Sequence, residues 1–135
     1  MSKKITDIEG IGPAFAEKLA KANIRSVEKL LEAGANKSGR KNIANSSGVD
    51  EGKVLDWVNM ADLFRVKGIA GQFAELLKAS GVDTIKELRN RNAENLHAKL
   101  AEVNAEKKLT RVVPSLTMVE KFIEQAKALD PKVTY

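Results

Sequence analysis

Two stretches of this chain read nearly alike: Ile5-Thr-Asp-Ile-Glu-Gly-Ile-Gly-Pro-Ala-Phe-Ala-Glu-Lys-Leu19 and Leu63-Phe-Arg-Val-Lys-Gly-Ile-Ala-Gly-Gln-Phe-Ala-Glu-Leu-Leu77. They align at an offset of 58 without a gap. Gly10 then meets Gly68, Ile11 meets Ile69, Phe15 meets Phe73 and Leu19 meets Leu77. The match runs on through Ile24 and Val82, Ser26 and Thr84, Val27 and Ile85, and Leu30 and Leu88. Glycines and apolar positions that recur together over such a length mark an internal duplication.

The repeat reaches further than identity does. Asp50 precedes Val54, Trp57, Val58 and Ala61 on one helical face, and Ser115 precedes Val119, Phe122, Ile123 and Ala126 at the same spacing. The offset has grown from 58 to 65, which puts about seven extra residues near 104–114. That basic loop insertion carries Lys107, Lys108 and Arg111. Helix signals fill each unit: Pro13 at a first helical position, Ser26, Thr84, Asn92 and Ser115 as caps, and Gly34, Gly48 and Gly81 as stops. No convincing strand is present. The expected fold is all-α, with about four helices in each of two units, 1–62 and 63–135. Asp62 alone separates the last apolar position of one from Leu63 of the next, so a continuous helix or a tight turn is expected there.

Composition narrows the function. The chain has 135 residues, 43% hydrophobic and 30% charged, an ordinary globular balance. Its beginning has two lysines but no apolar core of a secretory signal, and no run approaches a membrane span. The expected location is the cytoplasm. With no cysteine and one histidine, disulfides, thiolate zinc sites and cysteine nucleophiles are excluded. No nucleophile–base pair is visible, His97 stands alone on a helix, and neither a metal, a cofactor nor a small-molecule substrate is expected. The net charge of +5 permits an acidic partner without demanding one.

The glycines carry the chemistry. Ile5-x-x-Ile8-x-Gly10-Ile11-Gly12-x-x-x-Ala16 is the helix-hairpin-helix pattern, and Leu63, Val66, Gly68, Ile69 and Ala74 keep it, with Ala70 and then Gly71 where Gly12 stood. Glycines allow a sharp turn and leave nothing between the backbone and a ligand. The next helix aims free N–H groups outward, which suits a phosphate. Each unit therefore resembles the SAM-like helix-hairpin-helix domains at the N-terminus of archaeal and eukaryotic strand-exchange recombinases and the C-terminus of the bacterial RNA polymerase alpha subunit. Across nearly its whole length the chain is similar to an uncharacterised bacterial family of tandem helix-hairpin-helix proteins, which brings no established activity. The recombinase likeness implies contact with duplex DNA and nothing catalytic.

The candidate nucleic-acid contacts are Gly10, Ile11, Gly12, Arg65, Lys67, Gly68, Ile69, Gly71, Lys107, Lys108 and Arg111. Unit two is the better half, because Glu9 sits beside Gly10 and Pro13 lacks an N–H. Residues 1–64 hold 10 basic and 9 acidic side chains, against 13 and 9 in 65–135. Plainer readings stand beside these. The glycines can be turns only, Phe15, Phe73 and Trp57 read as core, and Lys37-Ser-Gly-Arg-Lys41 and Lys107-Lys108 read as solvated surface. Gly34 to Lys41 has P-loop glycine spacing, but Arg40 and Lys41 replace the residues that loop needs, and no strand precedes it. The expected function is non-enzymatic, sequence-independent DNA binding. The alternative is a protein–protein adaptor that keeps the fold alone.

Overall fold

A turn with a glycine in the left-handed region starts each half of the chain. In the computed structural model, which describes residues 3–135, Gly10 and Gly68 both have φ of +96°. Ile11 N–H closes onto Ile8 O at 3.1 Å, and Ile69 N–H onto Val66 O at 3.1 Å. A side chain at such φ costs about 1–2 kcal/mol, so glycine is needed for the backbone alone. Met1 and Ser2, the start of the stretch read as no secretory signal, lie outside the described residues.

The fold is all-α. The first unit has a 3-10 turn, Ile5–Asp7, then helices α1 (Pro13–Ala20), α2 (Val27–Ala33), α3 (Lys37–Ser47) and α4 (Glu51–Leu63). The second has α5 (Gly71–Ala79), α6 (Ile85–Arg89), α7 (Ala93–Lys107) and α8 (Leu116–Ala128). Among the described residues, β pairing is limited to one isolated bridge, Lys4 to Ser26. One compact unit takes in residues through Asp62 together with Lys132–Tyr135, and the other spans Leu63–Pro131. The last four residues, expected in the second unit, join the first, where Thr134 N–H donates to Ala35 O and Thr134 O accepts from the Arg40 side chain.

Within the first unit the apolar stripe of each helix meets in a core of Ile8, Ile11, Leu19, Ile24, Leu30, Val54 and Val58, each at most 3% exposed. Val66, Ile69, Leu77, Val82, Leu88, Leu96, Leu100 and Val119 do the same in the second unit, each at most 2% exposed. Full burial of such a side chain stabilises by about 1.5–3 kcal/mol. An aromatic from the final helix of each unit seats the turn. Phe15 packs edge-on to Trp57 with centroids 5.1 Å apart, and Phe73 is tilted against Phe122 at 6.4 Å. Trp57 is buried as read, but Phe15 and Phe73 are half-buried at the rim, because the first turn of a surface helix faces outward.

Of the stop signals, Gly81 ends α5 as read and Gly34 is demanded for another reason. Gly81 is left-handed at φ +91°, and 58 residues earlier Asn23 takes the same region at φ +63°. Gly34 has φ −101°, which any residue adopts. A Cβ there would lie 2.5 Å from Val58 Cγ2, so glycine is required by the close approach of α4. The extra length of the second unit is also shared out. Helix α7 has 15 residues against 11 in α3, so Asn104–Lys107 are helical and only the rest is loop. Asn104 then pins that loop, accepting from Thr110 N–H at 2.9 Å and donating to Thr110 O at 3.0 Å.

Lys108 ends α7 in the left-handed region at φ +52°. Glycine is the residue that position favours. Lys108→Gly should raise the unfolding free energy by about 1 kcal/mol, read from urea melts, while Gly10→Ala and Gly68→Ala should each lower it by a similar or larger amount. A second expectation concerns pH. Glu87 has its carboxyl pushed above the usual range by the hydrogen bond to Asp83, then by burial and the Asp83 charge. A raised folded value means the folded state holds the proton more tightly, so this pair costs stability as pH rises through the carboxylate range. Asp83→Asn should raise the thermal midpoint at neutral pH and give no gain in acid.

Candidate nucleic-acid interface

Helices need acceptors for their first N–H groups, and most here find one in a side chain. Ser26, Asn36, Thr84, Asn92 and Ser115 cap α2, α3, α6, α7 and α8. Asp50 Oδ2 accepts from Gly52 and Lys53 N–H at the start of α4, at 3.0 and 3.3 Å. Among the described residues, the two α-helices whose caps offer no side-chain acceptor are α1 and α5, capped by Gly12 and Ala70 just after the glycine turns. Both caps are exposed. The positive ends of these two helix dipoles therefore face solvent.

Each candidate residue has a definite place. Gly10, Gly12 and Gly68 are exposed, and Gly71 is half-buried. Ile11 and Ile69 are 3% and 1% exposed, with their amides closed onto Ile8 O and Val66 O. Side chain and N–H alike are thus engaged inside the turn, which corrects their reading as contacts. Gly12 differs from its neighbours: φ is −90°, and a Cβ there would meet nothing within 4 Å. Neither backbone nor packing demands glycine there, which leaves room for an outside group. Gly68 is the reverse. A Cβ would lie 2.9 Å from Phe122 Cε1, so a side chain there disturbs the fold first.

The basic residues divide in the same way. Arg65 is half-buried, with Nη2 donating to Asp130 O at 3.0 Å, a bond that holds the end of the unit. Lys67 has an exposed side chain on a main chain that is gripped from both sides. Its N–H donates to Gln125 Oε1 at 2.9 Å, and its carbonyl accepts from Gln125 Nε2 at 3.2 Å. Lys107, Lys108 and Arg111 are exposed at the end of α7 and in the Asn104-pinned loop. The hairpin group and this group come from separate segments of the unit.

Three residues were missed by pattern. Gln125 braces the second turn, but one polar residue on an amphipathic helix carries no signal. Lys53, on α4, lies with Lys18 near the Phe15 ring, their ammonium groups 5.7 and 5.6 Å from its centre. Arg40, counted with a solvated run, is 3% exposed. Its Nη1 donates to Gly34 O at 2.9 Å, because α3 turns this face inward. That run is also no phosphate loop: Asn36 caps α3 by accepting from Gly39 N–H at 2.7 Å, and α2 precedes it.

His97 is half-buried on α7. Among the described residues there is no group of three or more His, Asp or Glu side chains placed to hold a metal ion, and no helix is long and apolar enough to cross a membrane.

No curated protein and no solved structure matches this chain. One family pattern does, that described as a domain of unknown function, DUF4332, over residues 9–129. That span begins at the first glycine turn and ends just after α8, so it takes in both turns and every helix. The chain, all-helical over its described residues, belongs to this family, DUF4332.

Proposed function

We propose that the chain is a non-enzymatic, sequence-independent DNA-binding module of two helix-hairpin-helix units, which holds duplex phosphates with the first amides of α5 and the basic residues of the second unit. The observation that carries this reading is the pattern of caps. Side chains close the start of every helix except the two that follow the glycine turns. An uncapped, exposed helix start is an anion site, and two of them with the same turn geometry suit a polyanion. Lys67 adds charge beside one of them. Glu9 and Pro13 weaken the other, since one repels phosphate and the other lacks a donor.

A second reading has its own support. Val112 is 71% exposed, and Leu116 and Met118 are each 36% exposed, close together in sequence around the start of α8. Exposed apolar side chains in such a group suit a protein partner. On this reading the chain is an adaptor and the turns are structural.

Salt separates the two. Duplex binding should be modest, independent of sequence, and fall with a log–log salt slope of roughly −3 if about three phosphates are neutralised. Lys67→Glu, or Lys107 and Lys108 both to Glu, should abolish it at moderate salt, while Lys18→Glu should change affinity by less than about threefold. Gly12→Ala should leave stability within about 0.5 kcal/mol, since caps cost little where no side-chain bond is lost. It therefore reports on the first turn without disturbing the fold. Absence of binding to any duplex at low ionic strength would favour the adaptor.

A further inference from the structure

A groove of about 300 Å³ opens on the first unit between the α1–α2 turn, α2 and α3. Ile24 and Ile43, 1% and 4% exposed, give it an apolar floor, with half-buried Ala33 and Gly39 beside them. A Cβ at Gly39 would collide with Ala33 O, so glycine is what lets α3 close on the end of α2 here. Asn23, Lys29, Asn42 and Ser46 stand exposed around the groove. Among the described residues, none of these four side chains makes a hydrogen bond or an ion pair. No Asp or Glu is among the residues that line it.

The second unit does not repeat this chemistry. Fifty-eight residues on, the places of Asn23 and Lys29 hold Gly81 and Glu87. Asn23 and Gly81 share the left-handed region, at φ +63° and +91°. Glycine takes that region freely and asparagine at some cost. The first unit thus keeps a side chain where the second has none, and its amide closes no bond in the fold. Beside the groove, Ser38, Lys41, Asn42, Asn45 and Ser46 are three and four apart and all exposed, which makes one polar face of α3. That helix has no acidic residue along its whole length. An acid-free face next to a free ammonium attracts an anion.

We propose that this groove holds one unpaired nucleotide, with the base on Ile24 and Ile43, its edge met by Asn23 and Asn42, and its phosphate drawn by Lys29. A base taken out of its stack is held in this way, by apolar side chains on its face and polar groups on its edge. A carboxamide offers a donor and an acceptor together, which is what a base edge requires. The volume is at the small end of ligand sites, with room for one base and not for a pair. The nucleotide is free or part of a single strand, and in a strand Lys41 meets a flanking phosphate. None of these residues serves the duplex binding proposed for the second unit, so the groove stands or falls apart from that reading.

The test is nitrogen-15 NMR of the full chain titrated with two probes, a nucleoside monophosphate and a short single strand of mixed sequence. The side-chain amides of Asn23 and Asn42 should shift and saturate. Saturation by both probes assigns a lone nucleotide, and saturation by the strand alone assigns nucleic acid. Ribose phosphate, or a strand without bases, should bind about fivefold more weakly or worse. Asn42→Ala and Lys29→Glu should each weaken binding by about fivefold or more. Asn23→Gly should weaken it too while raising the thermal midpoint, because glycine relieves the backbone. An asparagine that is only structural would not lower binding as stability rises. A duplex of the same length should feel none of the three changes by more than about twofold, since its bases are paired. If neither probe shifts these amides at millimolar concentration, if the baseless probes bind equally well, or if the three substitutions leave binding unchanged, the groove is not a nucleotide site.

Discussion

Everything else in each unit depends on one constraint: a backbone turn at positive φ pressed against an aromatic ring of the unit's last helix. Gly10 lies against Trp57 and Gly68 against Phe122. A side chain is strained at either glycine by the positive φ, and at Gly68 it would also meet the Phe122 ring. The turn's amide closure buries Ile11 or Ile69 and sets the direction in which the next helix leaves. Local chain chemistry and the long-range contact are therefore one requirement. The positions that satisfy it are far apart in sequence: Gly10 needs Trp57, and Gly68 needs Phe122.

That explains which parts were legible. The caps could be read because a polar side chain acts on an amide three residues away, as Ser26, Thr84, Asn92 and Ser115 do. The core could be read because helical periodicity is local, and Val54, Trp57, Val58 and Ala61 are all buried. Gly34 shows where this fails. Its place at a helix end suggested a stop, but the demand comes from Val58, a contact that no local rule contains. Arg40 fails in the same way. A run of basic residues reads as surface, and only the chain's return at Thr134 gives a buried guanidinium its second carbonyl.

The turns of the candidate site were legible in the sequence, and the surroundings of each residue were not. Glycine, apolar residue and glycine marked the turns, yet the pattern could not say which groups stay open. Ile11 and Ile69 stand in the middle of the motif and are closed. Arg65 looked available as a cation and is tied to Asp130 O. The pattern counts residues, whereas accessibility depends on what the last helix and its following turn bring back. Lys18 and Lys53 make the complementary point: lysines 35 positions apart lie near the same ring, and neither is marked by its neighbours.

The two turns have the same backbone but are braced differently, and this bears on how each could meet an anion. In the second unit Gln125 bonds both main-chain groups of Lys67, which fixes the residue carrying the nearby charge. The corresponding place in the first unit, 65 residues earlier, is Met60, an apolar residue 2% exposed. A hydrogen bond is directional, whereas apolar burial is not. The second turn thus combines a fixed main chain, a lysine and a full set of helix-start amides. The first combines a glutamate, a proline without an N–H, and a glycine facing open space. Neither half is a spare copy of the other. The same turn leaves an uncapped helix start beside an exposed lysine in one unit, and an uncapped helix start beside a glutamate in the other.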